Sequence, residues 1–433
     1  MKKIFTAVIL SVCVFALSAC SKDVDSRFYD LVIEDFGAVT GVKEYVVKDS
    51  VDCFSAEKIT YHGRYYSDRQ SGAVWISYTN AGFEVTFYGT TLEGEFLATR
   101  ADDNKSKPYI AVCVDNDYDP DHATPIAFTS YGKYRNGSNI GGGISRHERV
   151  VLAHGLEEGE HTVRIYKRSE CQNSRLALVS VACDGRILPV SARQFGLKLE
   201  FFGDSVTCGY AVESEDYYEN FTTRTENGMK TYANYCANLL NADLSCVSAG
   251  GYPLYKSIYS EYNHPSDVPS MLSMAEFEYQ TSFDHPWDNS LFVPDAVIIA
   301  LGANDGSVLS RFTTDEQYAE FFNGFERAYY DFIERLYDVY PQTLIVVSDE
   351  VIQIDGRFSA IADKVVATLR QQGKKIIRVK HNASELAVDK TMPGAGHPNA
   401  EMQLIAGHQL ADALAEYFSI RLDDSDFWAQ YGL

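Results

Sequence analysis

Apolar and polar positions follow two different rhythms along the chain. Between residues 45 and 190 the rhythm has period two. "FEVTFYG" sets Phe83, Val85 and Phe87 against Glu84, Thr86 and Tyr88, the alternation of a half-buried strand. "AVWISY" comes before it and "HTVRIYKR" after it, each bounded by Gly, Asn or Asp. Strands at this spacing, with no helical pattern between them, predict an all-β sandwich or jelly roll over 45–192. The Gly/Asn-rich "GKYRNGSNIGGG" of 132–143 predicts a long loop.

After residue 195 strands alternate with helices. "LKLEFFGD", "DLSCVSAGG", "PDAVIIALGAND" and "TLIVVSDE" are apolar runs that end in turn residues. Between them, "TYANYCANLL" puts Tyr232, Tyr235, Cys236, Leu239 and Leu240 on one helical face. A second helix opens at "TTDEQ", with Thr313 and Glu316 read as a capping box, and stops at Pro341. "NAEMQLIAGHQLADALAEYF" closes the series, capped by Asn399. This alternation predicts a three-layer α/β domain over 195–425, a parallel sheet with helices on both faces. Chemistry in such a sheet belongs just beyond the carboxyl ends of its strands.

Composition changes the picture in three places. A length of 433 residues exceeds one compact core, in keeping with two domains. The net charge of −22 excludes a nucleic-acid partner, which needs concentrated basic surface, and disfavours an anionic membrane face. A neutral polymer meets no such conflict. The first 20 residues combine "MKK", an apolar core and "LSAC", the pattern of a lipoprotein signal peptide with Cys20 as the lipidated residue. Residues 21–44 then read as a linker, and the mature protein is expected outside the cytoplasm, on the cell envelope, meeting the membrane only through that anchor. Cys53, Cys113, Cys171, Cys183, Cys208, Cys236 and Cys246 remain. Their odd number leaves at least one free thiol, and their spacing matches no zinc module.

Three polar blocks follow predicted strands and a fourth precedes the closing helix: Ser205 in "GDSVTCGY", Gly250 and Gly251 in "SAGG", Asn304 in "LGAND", and His397 in "GHPN". Parallel strands deliver their carboxyl ends to one edge, so these distant residues can converge. A serine hydroxyl becomes nucleophilic when a neutral imidazole takes its proton during attack. The tetrahedral oxyanion then needs donors aimed at it in advance. The N–H of Ser205, the N–H of Gly250 and the side-chain amide of Asn304 are the candidates; Ala249, Gly250 and Gly251 all remain open for the middle position. Asp204 and Asp305 read as turn-stabilising carboxylates and His408 as a packing residue.

These blocks resemble the SGNH (GDSL-type) hydrolase superfamily. With the preceding β region, through "GRYYSD", "TFYGTTLEG" and "GLEEGEHTVRIYKRSE", the chain looks like the family 2 carbohydrate esterases across its mature length. The resemblance implies a jelly-roll domain ahead of a flavodoxin-like SGNH domain. It also implies removal of O-acetyl groups from plant polysaccharides such as xylan and glucomannan, without cofactor or metal. Carried onto this chain, it makes Ser205 the nucleophile, His397 the base, and Ser205, Gly250 and Asn304 the oxyanion hole.

One departure stands out. Many SGNH enzymes carry an Asp two or three residues before the histidine, where this chain has Ala395 and Gly394. In serine proteases, spoiling the orienting acid costs about 10⁴ in rate through the wrong tautomer. A Ser205–His397 dyad oriented by a main-chain carbonyl is the expected substitute. For the acetylated polysaccharide or oligosaccharide substrate, Trp287 is the candidate contact, with Tyr210 and Tyr252 also beside the catalytic blocks. The acidic "VDNDYDPDH" of 114–122 lacks the Gly and final Glu of an EF-hand and reads as a solvated loop. Two other functions fit the same residues: a sugar O-acyltransferase using the same acyl-serine, and a carbohydrate-binding protein whose hydrolase half is inactive.

Overall fold

A computed structural model of the chain describes residues 25–27 and 45–432, except 102–104, 129–131, 136–137, 141–145, 191–192 and 279–281. The signal segment and Cys20 lie outside the described residues, as does most of the expected 21–44 linker. Within that linker Asp25–Arg27 forms a strand antiparallel to Tyr45–Val47, so the segment is not wholly a connector.

Two largely antiparallel sheets make up the first half. One runs in the order Thr124–Ala127, Tyr109–Val114, Gly159–Lys167, Gly82–Gly89, Arg186–Ile187, with Ile59–His62 also on Gly82–Gly89. The other is centred on Leu92–Ala101 and Ser174–Cys183. Their facing side chains include Phe83, Val85, Phe87, Phe96, Ile165 and Leu178, all fully buried. The sequence expectation for 132–143 needs correction. Gly132–Arg135 and Ser138–Ile140 are short strands, the former parallel to Leu92–Ala101.

The strand Gly82–Gly89 also departs from the half-buried pattern, because Glu84 and Thr86 are as buried as Phe83 and Val85. Tyr88, at its far end, stays exposed, while the Glu84 end of its outer face lies against the second half of the chain. Arg164 lies 4.0 Å from both Glu84 and Asp243, and His62 Nδ1 is 2.9 Å from Asp243.

Five parallel strands build the second half: Leu197–Gly203, Ala242–Ser248, Ala296–Ile299, Leu344–Ser348 and Ile376–Val379. Their spatial order is 2-1-3-4-5 counted along the chain, the flavodoxin-like arrangement. The first strand pairs with the second on one side and the third on the other, so the topological switch point lies between first and third. Helices Tyr232–Leu239 and Ala400–Phe418 pack together against Leu199, Phe201 and Leu244. Asp315–Val339 and Gly356–Gln371 pack with Phe202, Val297 and Val347. The capping box of the long helix sits one residue later than expected, on Thr314 and Gln317. Asn399 caps Ala400–Phe418 through Met402 N, as the sequence indicated, and one further short helix, Ser425–Ala429, follows.

The two halves share one hydrophobic core, in which Phe83 and Phe96 belong to the same cluster as Phe202 and Val347. At their junction Arg64 is fully buried. Its Nε meets Glu200 at 3.0 Å, and its Nη1 donates to the carbonyls of Met271, Leu272 and Met274.

Candidate active site

Ser205 opens a one-turn helix directly after the first parallel strand. Asp204 caps that turn, its Oδ1 accepting from Val206 N at 3.0 Å. As first residue of the helix, Ser205 has no acceptor for its N–H within it. His397 reaches the hydroxyl from the loop before Ala400–Phe418, with Nε2 2.8 Å from Ser205 Oγ. Its Nδ1 lies 2.6 Å from Gly394 O. A carbonyl only accepts, so the proton resides on Nδ1 and Nε2 is left to accept from the serine. The missing acid is thus replaced by a main-chain acceptor.

The backbone explains how that carbonyl turns back. Gly394, Ala395 and Gly396 all have positive φ (50°, 60° and 94°), and the coil is pinned by Gly394 N to Asp216 O and Ala395 N to Tyr217 O. The ring of Tyr210 stacks on His397 at 4.2 Å and on Phe221 at 4.2 Å. Burial lowers the His397 pKa below that of free imidazole, and the Gly394 carbonyl offsets part of this.

Asn304, at the end of the third strand, stands across the switch point from Ser205. Its Nδ2 donates to Asp204 Oδ2 at 2.7 Å and to Tyr252 O at 3.2 Å. Asp204 therefore braces the amide as well as the serine turn; burial pushes its pKa up to about 7. Asp305 accepts from the N–H groups of Leu254, Tyr255 and Lys256, the turn-binding role expected of it.

The glycine block differs from the expectation. The N–H of Gly250 donates to the carboxylate of Glu170, and Gln172 Nε2 donates to Gly250 O at 2.9 Å. Gly250 N–H is thus spent inside the protein. The next peptide N–H belongs to Gly251, whose φ of 83° suits glycine and whose absent Cβ faces open space. In a planar trans peptide the C=O and the following N–H point in opposite directions. With Gly250 O held by Gln172, Gly251 N–H points away from the β half.

Trp287 is not a cleft residue. It is 6 % exposed and packs edge-on against Tyr65, with the Arg64 guanidinium 5.5 Å from its ring. The two halves enclose it, which its position in a polar loop did not reveal. Tyr252 is likewise buried, against Phe277, whereas Tyr210 does adjoin the site. His408 stacks on Phe427 at 3.4 Å as a packing residue. In the acidic loop, Asp115 and Asp117 each meet a histidine, His161 and His122, and Asp119 accepts from Asp121 N. Glu170 and Gln172, missed in the sequence, show there only as polar residues after the apolar run "HTVRIYKR".

Among the described residues Glu170, Cys208 and Glu226 bring potential metal-ligand atoms within 4.8 Å of one another. Glu170 is already occupied by Gly250 and Asn173, and burial pushes the Cys208 thiol well up, keeping it protonated. A metal needs these groups free and deprotonated, so the set does not fit one.

Residues 199–410 match the family described as GDSL-like Lipase/Acylhydrolase, and the second half is a GDSL-type hydrolase domain. Among curated proteins the chain is similar to the cellulase/esterase CelE of Acetivibrio thermocellus. The match is 31 % identical over 159 residues, 36 % of this chain and 19 % of that protein. It is also similar to an acetylxylan esterase / glucomannan deacetylase of Cellvibrio japonicus, 30 % identical over 230 residues, 53 % of this chain and 60 % of the relative. The chain thus spans about a fifth of one and three fifths of the other. The solved structure of a family two carbohydrate esterase from Cellvibrio japonicus has the same fold. Its TM-score is 0.67 at 22 % identity, covering 86 % of this chain and 98 % of that one.

Proposed function

We propose that the protein is a serine esterase that removes O-acetyl groups from plant polysaccharide of the xylan or glucomannan type. The observation that carries this is the hydrogen-bonded line Ser205 Oγ, His397 Nε2, His397 Nδ1, Gly394 O, with spacings of 2.8 and 2.6 Å at its two contacts. The kinship of the chain to acetylxylan esterases supports the substrate class.

Ser205 Oγ attacks the acetyl carbonyl carbon while its proton passes to His397 Nε2. The positive charge on the ring is stabilised through Nδ1–H by Gly394 O. The carbonyl oxygen, now an oxyanion, is met by the N–H of Ser205 and Gly251 and by Asn304, which exchanges its longer bond to Tyr252 O. Collapse breaks the bond to the sugar oxygen, which leaves with the proton from Nε2. Water, deprotonated by the same nitrogen, then cleaves the acetyl-serine to acetate.

Ser205→Ala should lower 4-nitrophenyl acetate and acetyl-xylan hydrolysis by at least about 10³-fold. Equal activity in that variant and the wild type would remove the proposal. We extend it to the amino terminus, with Cys20 lipidated and the enzyme held on the cell envelope. Cys20→Ala should then move the full-length protein from the membrane to the soluble fraction, and unchanged fractionation would count against the anchor.

A further inference from the structure

We infer that the β half is a working part of the site, supplying Glu170 and Gln172 as positioning residues that hold the Gly250–Gly251 peptide in the orientation ester cleavage needs. This rests on the esterase reading above.

The two residues sit on 168–173, the segment that joins strand Gly159–Lys167 of one sheet to strand Ser174–Cys183 of the other. Its side chains at 168, 169, 170 and 172 are all buried. The segment is itself fastened: Lys167 Nζ donates to Ser169 O at 2.6 Å and Glu170 O at 3.2 Å, and Arg168 O accepts from Gly228 N at 2.8 Å. Asn173 Nδ2, 2.6 Å from Glu170 Oε1, fixes the carboxylate from its other side.

From this base the β half grips Gly250 at two points. Glu170 accepts its N–H and Gln172 donates to its C=O. Contact is close enough that a Cβ at position 250 would stand 3.2 Å from Glu170 Oε2 and 3.3 Å from Gln172 Nε2, and glycine leaves that space open. The thiol of Cys208, on the helix that carries Ser205, lies 3.2 Å from Ser248 Oγ and 3.6 Å from Glu170 Oε2. A single carboxylate thus lies between the glycine turn and the nucleophile turn.

The need for a grip follows from the sequence. A Gly-Gly peptide has wide φ/ψ freedom and flips at low cost. After a flip, Gly250 O rather than Gly251 N–H would face the developing oxyanion and repel it. Gln172 prevents this by donating to that carbonyl, and Glu170, by holding the N–H of the preceding Ala249–Gly250 peptide, fixes the plane from which the Gly250–Gly251 peptide is set.

The test compares Glu170→Gln, Glu170→Ala and Gln172→Glu in the full chain. Glu170→Gln keeps an acceptor for Gly250 N–H and should stay within about threefold of wild type; the other two should lose about 10²-fold in kcat on 4-nitrophenyl acetate, with KM nearly unchanged. Inhibition by phenylboronic acid, which adds to the serine as a tetrahedral anion, should weaken in step with kcat. Wild-type kcat and boronate inhibition in Glu170→Ala and Gln172→Glu would overturn the inference, as would a loss seen only in melting temperature. Amide hydrogen exchange supplies a readout independent of turnover: Glu170→Ala should speed exchange at Gly250 by at least about tenfold. Unchanged exchange would overturn the grip. Should the wild type cleave no ester, the esterase reading falls, and the exchange comparison still decides whether Glu170 holds Gly250.

Discussion

His397 works without a carboxylate partner, which gives the site a recognisable pH response. An aspartate beside an imidazole raises its pKa, whereas a neutral carbonyl in a buried setting leaves burial in control, and the His397 pKa falls below 6.5. The base must be neutral to act, so kcat/KM should rise with pH through that lowered value and be level by neutral pH. A profile on 4-nitrophenyl acetate with its acid limb centred above 6.5 would contradict this. Ser205 and Asn304 could be read from the chain because each occupies a short block after a strong strand pattern, and His397 because its block abuts the cap of a strongly patterned helix. The identity of the glycine donor could not. Gly250 and Gly251 are alike as letters, and what separates them is the direction of one peptide plane, set by Gln172 from 78 positions away in the chain.

Among the elements, the loop bearing Trp287 shows how a correct placement in sequence can mislead about role. Trp287 lies just before the strand that leads to Asn304, yet its indole closes the seam between the halves, beside Arg64 and Tyr65. Trp287→Ala should therefore cost about 3–5 kcal/mol of stability, the range for emptying a buried aromatic site. Denaturant unfolding checks this, while KM for acetyl-xylan should stay unchanged. The strand Gly82–Gly89 carries the same lesson. Its alternation gave the right element and the right inner face, but a strand roofed in part by another domain buries polar residues as well, and no local pattern announces the roof. The capping box moved by one residue because two threonines stand in tandem and the glutamine at 317 completes the box only with the second.

For the molecule as a whole, the notable quantity is its store of buried acid. Burial raises the pKa of Asp204 and Asp305 to about 7, and raises Glu170, Glu226 and Glu350 as well. Opposite shifts act at Asp243 and Glu276, which meet His62 and Arg175, and at His62 and His381, whose burial lowers their pKa to about 4 so that their contribution to stability grows as pH rises to 6.5. A carboxyl whose folded pKa exceeds its unfolded value holds its proton more tightly in the native state. Its stabilisation is complete below the unfolded pKa and is lost as pH rises through the folded one. Above pH 6.5, where these histidines are neutral in both states, the raised carboxyls set the slope: the melting temperature should fall from pH 6.5 to pH 8, and calorimetry showing a rise there would mean these carboxyls are ionised in the fold. The layered architecture was legible from periodicity, but the strand order came only with the family resemblance, the fifth strand Ile376–Val379 was not anticipated, and the meeting of the halves was hidden because it depends on single buried charges such as Arg64. That guanidinium, sealed against Glu200 and three carbonyls of the opposite half, also bears on ancestry. A recombination event that cut the gene between the two halves would leave a guanidinium without its acceptors on one fragment, a carboxylate without its cation on the other, and bare apolar surface around both. Each half thus carries a surface made for the other, unlike modules strung on a linker.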